Sequence, residues 1–177
     1  MQLIPHVNRH LSLRILDISA PTSTCVIILP DLDNVDKKIL VRLQEDARIS
    51  FKEIAKEVGT SEATVFVRVK KLQKRGVIKG FRAILNPSSV GKQVTAFALV
   101  KAEPKSYPKM LAQLMSFEDI CEIHDVTGAY YSILKMRTNT SEQLAEILDK
   151  IGQIEGIAGT ETVIVLRTIK EETAIKL

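Results

Sequence analysis

Few residues of this 177-residue chain could make or break a covalent bond. Cys121 and His124 come nearest to a nucleophile with a base beside it. They fall in ICEIHDV, a stretch of strand composition. Side chains alternate along a strand, so positions three apart face opposite sides and cannot meet. His6 and His10 share a face if the residues around them are helical, but no third metal ligand accompanies them. Cys25 and Cys121 are too few for a disulfide framework or a zinc cluster, and each reads as a small buried hydrophobe. The sequence has neither a glycine-rich phosphate loop nor a nucleophile elbow. The expectation is a non-enzyme without metal or cofactor.

The chemistry that the sequence does concentrate is electrostatic. In SEATVFVRVKKLQKRG, Ser61 to Gly76, the residues Arg68, Lys70, Lys71, Lys74 and Arg75 are basic, with Phe66 and Val67 just before them. The net charge of +4 is unevenly spread. Residues 31–85 hold 13 Lys and Arg against 8 Asp and Glu, whereas residues 86–177 hold 10 against 12. A basic small segment joined to a mildly acidic larger one points to a polyanion met by one part and a different task for the other. No apolar run approaches the ~20 residues of a membrane span, and the N-terminus lacks the apolar core of a secretory signal. The expected location is the cytoplasm, with no membrane partner.

The basic run needs a helix to present it. Asp33 is a plausible N-cap, after which Val35, Ile39 and Leu43 recur at helical steps. Ser50 and Glu53 form a capping box for a second helix with Phe51, Ile54, Ala55 and Val58 on its apolar face. Gly59 can end it in the left-handed conformation. Ser61 caps a third helix whose stripe is Val65, Val69 and Leu72, and Gly76 stops it. Two short helices around a glycine-containing turn are the helix-turn-helix pattern. VIKGFRAIL, Val77 to Leu85, then reads as a linker strand or small wing, and NPSS marks a boundary.

Residues 92–177 alternate strand and helix. TAFALVKAE is a strand, KMLAQLM a helix, and ICEIHDV and YSILKMR are strands about the turn TGAY. Thr140 and Gln143 form a capping box before Leu144, Ile147, Leu148 and Ile151, and ETVIVLRTI is the last strand. The order βαββαβ is ferredoxin-like, so the fold class is α+β. AFALV and VIVL are apolar without alternation, which predicts strands buried on both faces. Two helices cover one face, so a second copy is expected on the other. Residues 1–30 fit no pattern: they are a poorly ordered tail, an upstream extension or an assembly arm, and the role stays open. The predicted division is thus 1–30, 31–85 and 86–177.

At about 100° per residue, centring the buried stripe leaves Ala63, Val67, Lys70, Lys71 and Lys74 on the opposite side, with Thr64, Arg68 and Arg75 on one flank. With Ser61 at the cap and Lys79 beyond, these are the predicted DNA-binding residues. The lysines would neutralise phosphates, Arg68 could reach a guanine edge, and Val67 could touch a thymine methyl. Phe66, on the other flank, is expected to pack on a neighbouring element.

Residues 31–173 resemble the Lrp/AsnC ("feast/famine") transcriptional regulators. The likeness is carried by LDNVDKKIL, the TVFVRVKKL helix and the GVIKGF exit, and continues through FALVKAE, VTGAYYSILKMRT and IEGIAGTETVIVLRTIKE. It implies a helix-turn-helix followed by a small-molecule-sensing βαββαβ (RAM-type) domain. It further implies homodimers through the sheet, tetramers or octamers beyond them, and double-stranded DNA partners at pseudo-palindromic promoter sites. Many such proteins respond to amino acids at the turn joining the second and third strands, here Thr127, Gly128, Ala129, Tyr130 and Tyr131. The family's T-G-D-Y-D is T-G-A-Y-Y in this chain, so both acidic positions are lost. A different effector, recognition through backbone groups, or no effector are the three readings, and Thr160 and Thr162 are further candidates for the pocket.

The sequence thus predicts a sequence-specific DNA-binding transcriptional regulator, responsive to an amino acid or other small metabolite. An architectural DNA-compacting protein without effector is the alternative. A sirohaem-decarboxylase-like enzyme is the remote one, because that class relies on histidines and the second half offers only His124.

Overall fold

In the computed structural model, residues 31–177 are described; the expectations for residues 1–30, including His6, His10 and Cys25, lie outside them. Helix α1 spans Asn34–Glu45, α2 Phe51–Val58 and α3 Glu62–Lys74. Each start follows from its cap. Asp33, Ser50 and Ser61 accept from the amides of Asp36, Glu53 and Thr64, and Glu53 reaches back to the Ser50 amide to complete the capping box. Gly59 stops α2 at φ 71°, a conformation that costs a side-chain-bearing residue and costs glycine nothing. Three residues later α3 begins, so the two axes must turn sharply. Ile39, Leu43, Ile54, Ala55, Val65 and Val69 meet at the centre of the three helices. Each fully buried aliphatic side chain there contributes roughly 1.5–3 kcal/mol.

The second half places β1 (Val94–Ala102), α4 (Tyr107–Leu114), β2 (Ile120–Asp125), β3 (Ser132–Thr138), α5 (Ser141–Gly152) and β4 (Ile157–Ile164) in that order. The sheet runs β2-β3-β1-β4, antiparallel throughout, which is the predicted ferredoxin-like arrangement. Ala96, Ala98, Val100, Leu134 and Met136 point to one face, where Met110, Leu114, Leu144, Ile147 and Ile151 of the helices cover them. The opposite face carries Phe97, Leu99, Ile133 and Val163 among Lys135, Arg137 and Glu161; neither helix covers it, and the segment after β4 reaches only its Lys135 and Arg137 corner, through Glu171. Phe97 and Leu99 are half-buried, and Val163 is 51% exposed.

Two expectations need correction. Residues 77–85 form no strand within the chain. Strand composition is not sufficient, because a strand exists only where another backbone accepts its hydrogen bonds. The last strand is Ile157–Ile164 rather than Glu161–Ile169. Its register against β1, with Val100 opposite Thr160 and Ala98 opposite Thr162, starts it just after Gly156, so Leu166 and Ile169 emerge into solvent. A smaller difference concerns α5. Thr140 caps Gln143 as expected, but the Gln143 side chain accepts from the Asn139 amide, one residue before the cap.

Candidate nucleic-acid interface

The cap at Ser61 fixes where α3 begins and therefore which side chains turn outward. Ser61 Oγ accepts from the Thr64 amide at 3.1 Å and lies 2.8 Å from Thr64 Oγ1. Val65, Val69 and Leu72 are buried, so Ala63, Thr64, Val67, Lys70, Lys71 and Lys74 are left exposed on the outer side. Val67 is 63% exposed. Lys70, Lys71 and Lys74 make no ion pair among the described residues. Arg75 donates to the Asp31 carbonyl at 3.2 Å, and Lys79 lies exposed just beyond the helix.

Arg68 is placed differently. Its Nη1 donates to Asp36 Oδ1 at 2.7 Å and to Asp33 Oδ2 at 2.6 Å, which turns the guanidinium back onto α1. These two carboxylates, Asp36 first, raise its pKa further above the ordinary guanidinium value. Asp33 is held below the usual carboxylate range by the Asp36 amide first and by Arg68 second. The arginine expected at a guanine edge therefore serves as a tie between the first and third helices. Phe66 packs on Phe51 of α2, ring centroids 6.2 Å apart, with the Lys70 ammonium 5.8 Å from its ring. The small side chains left outermost on α3 are Ala63, Thr64 and Val67, rimmed by Lys70, Lys71 and Lys74.

At the far end of the chain, the predicted effector residues divide. Tyr131 donates its amide to the Val100 carbonyl at 2.8 Å, and its ring lies 5.6 Å from that of Tyr107. Tyr130 donates its hydroxyl to Glu161, and the Lys101 ammonium stands 5.2 Å from its ring. The Glu161 carboxylate raises the Tyr130 phenol pKa. Thr160 and Thr162, opposite Val100 and Ala98, face the helix side of the sheet. Glu161 lies between them and points to the open face with Tyr130. Strand alternation applied to the two threonines would have found it. Thr127, Gly128 and Ala129 are exposed in the turn.

The remaining chemical candidates separate. His124 pairs with Glu122 at 3.1 Å, whereas Cys121, exposed rather than buried as expected, sits at the β2 bulge with its Sγ 3.8 Å from the Asp119 carbonyl. No cluster of three or more His, Cys, Asp and Glu occurs among the described residues. No helix among them is long and apolar enough to cross a membrane.

Comparison with known proteins fits this geometry. The AsnC-type helix-turn-helix domain matches residues 32–73, and the Lrp/AsnC ligand binding domain matches residues 95–175. The HTH-type transcriptional regulator FL11 of Pyrococcus furiosus is 41% identical over 144 residues, 81% of this chain and 95% of that protein. The chain belongs to the Lrp/AsnC family. AsnC of E. coli superposes with a TM-score of 0.77 at 35% identity, covering 81% of this chain and 98% of that one. The feast or famine regulatory protein of M. tuberculosis, complexed with L-methionine, gives 0.74 at 27% identity over 82% of this chain and 99% of that one. This Lrp/AsnC protein is accordingly a transcriptional regulator, and α3 is the second helix of its helix-turn-helix.

Proposed function

We propose that this Lrp/AsnC regulator binds double-stranded DNA sequence-specifically as a homodimer, each copy laying α3 in a major groove of a pseudo-palindromic site. The observation that carries this reading is the outer side of α3. An exposed Val67 with Ala63 and Thr64 beside it is ringed by Lys70, Lys71, Lys74 and Arg75, and none of these cations is paired to a carboxylate among the described residues. Small apolar and hydroxyl side chains can lie against thymine methyls and base edges, while the lysines neutralise phosphates. On this reading residues 31–85 bind DNA and residues 86–177 dimerise through the sheet face that neither helix covers and sense an effector.

The effector reading draws on the M. tuberculosis relative, which is complexed with L-methionine. In this chain an α-amino acid would place its ammonium group on Glu161 and its carboxylate near Lys101, beside the Thr127–Tyr131 turn, so the lost acidic positions of that turn are made good from β4. Selection of bound sequences from a random duplex pool, with and without an amino-acid mixture, tests both parts. A recovered inverted repeat supports a dimeric regulator, and a shift of affinity with the mixture supports sensing.

The engagement of Arg68 by Asp33 and Asp36 favours one second reading. With its long arginine turned away, α3 has few side chains that discriminate bases, and an architectural protein needs none. Salt-sensitive binding with no recovered motif would decide for it, whereas a regulator shows a specificity ratio of ~10³ or more.

A further inference from the structure

The two halves of the chain are joined by residues 77–92, which contain no strand, and the substantial packings between elements all lie within one half or the other. Among the described residues, one pair of hydrogen bonds crosses between them. Gln44 Nε2 on α1 donates to the Ile175 carbonyl at 3.1 Å, and Gln44 Oε1 accepts from the Ile175 amide at 2.6 Å. A side-chain amide thereby satisfies both backbone groups of one residue, as a neighbouring strand would. The segment around Ile175 forms one wall of a groove of about 450 Å³ that Leu40, Leu43 and Ile78 also line. The Ile175 side chain is 71% exposed, so backbone pairing rather than apolar burial seats it.

Four residues earlier the same segment is fixed to the sheet. Glu171 accepts from Lys135 Nζ at 2.6 Å and from Arg137 Nη2 at 2.9 Å, both on β3. The stretch between the two anchors spans at most about 14 Å when fully extended. The route through residues 77–92 is several times longer and holds no strand ladder. A connection of that length restricts the orientation of the helix-turn-helix less than a short one does. A short second tie restricts it further.

We propose that residues 171–177 are a strap that sets the angle at which α3 is presented, and with it the separation between half-sites that the assembled protein accepts. The half-site part of this inference rests on the DNA-binding reading above. The strap works through effective concentration: once one α3 is docked, the second is already aimed at a half-site at the matching distance, and releasing the strap dilutes it.

The test uses the full chain with Ile175→Pro, which removes the amide that Gln44 accepts, and Gln44→Ala, which removes the clamp from an exposed position on α1. Ile175→Ala keeps the backbone pair and serves as the control. Two readouts separate the strap from the DNA reading. The first needs no DNA: tryptic cleavage at Lys79 and Arg82 should accelerate in Ile175→Pro and Gln44→Ala and stay at the wild-type rate in Ile175→Ala. The second is binding to a series of duplexes whose two half-sites stand at varied separations. The wild type and Ile175→Ala should show one preferred separation. The other two variants should lose about tenfold there and flatten across the series, while single half-site affinity changes less than twofold. Unchanged cleavage in both strap variants would overturn the strap, whatever DNA shows. Faster cleavage with an undiminished spacing preference would overturn its role in half-site choice. Wild-type protein that binds no duplex would refute the DNA reading and that role together, leaving cleavage to judge the tie alone.

Discussion

Arg68 Nη1 stands 2.7 Å from Asp36 Oδ1, so the arginine in the middle of the basic helix is held by the helix it packs against. Asp36 is buried, with 8% of its surface exposed. Removing a partner from such a carboxylate strands a charge that water reaches poorly. Arg68→Ala should therefore lower the thermal midpoint, by an amount on the order of 1 kcal/mol in stability. Its effect on DNA should be a weakening shared by all sequences, because the substitution loosens the seating of the whole helix and removes no base-reading side chain. Unfolding and binding to ranked duplexes check this together. A stable variant with reordered sequence preference would return Arg68 to the base edges.

Acid should loosen the same junction. Asp33 in the folded chain lies below the ordinary carboxylate range, chiefly through the Asp36 amide and then Arg68. A depressed folded value means that the carboxylate contributes stability above its unfolded value near 4, and that this is lost as pH falls through the lower folded value. Asp33→Asn keeps a side-chain oxygen for the cap but loses the charge. Its stability should fall less steeply than that of the wild type below about pH 4, as read by circular dichroism at 222 nm.

Lys71 and Lys74 are exposed and have no carboxylate partner among the described residues. If each meets a phosphate, Lys71→Ala and Lys74→Ala weaken all duplexes alike and each lowers the slope of log affinity against log salt by about 1. A titration from low to moderate salt on two unrelated sequences measures it. An unchanged slope would remove these lysines from the phosphate contacts.

A fourth expectation concerns the sheet half. Gly156 sits at φ 93°, and a β-carbon there would stand 2.2 Å from Ser106 Cβ. Its carbonyl meanwhile accepts from the Glu103 amide at 2.8 Å, which holds the end of β1 to the start of β4. Gly156→Ala therefore combines backbone strain of about 1–3 kcal/mol with a collision. A clear fall in thermal midpoint at matched protein concentration is expected, and its absence would mean that the segment from Pro104 to Ser106 yields easily.

Local signals carry much of this architecture. Asp33, Ser50, Ser61 and Thr140 each mark a helix start because a cap is a property of four consecutive residues. The stripe Val65, Val69, Leu72 fixes which side of α3 is buried, and so exposes Val67 and the lysines. Pairings between distant residues are not legible in this way. Arg68 and Asp36 are 32 positions apart and Gln44 and Ile175 are 131 apart, and no periodicity links them. The misplaced last strand has the same origin. VIVL is the more apolar stretch, but the register against β1 selects Ile157–Ile164. Glu161 escapes a search for hydroxyl side chains because it stands between the two threonines and faces the other way.

The sheet face that neither helix covers, where Val163 meets solvent, carries a consequence for dosage. A chain that needs a twin to cover that face exists in two pools, and the paired pool grows with the square of the amount synthesised while most chains are single. On the proposed reading, an inverted repeat is filled only from the paired pool. Halving expression would then cut promoter occupancy about fourfold in that regime, so the gene's own output becomes a steep input, with or without a metabolite to report.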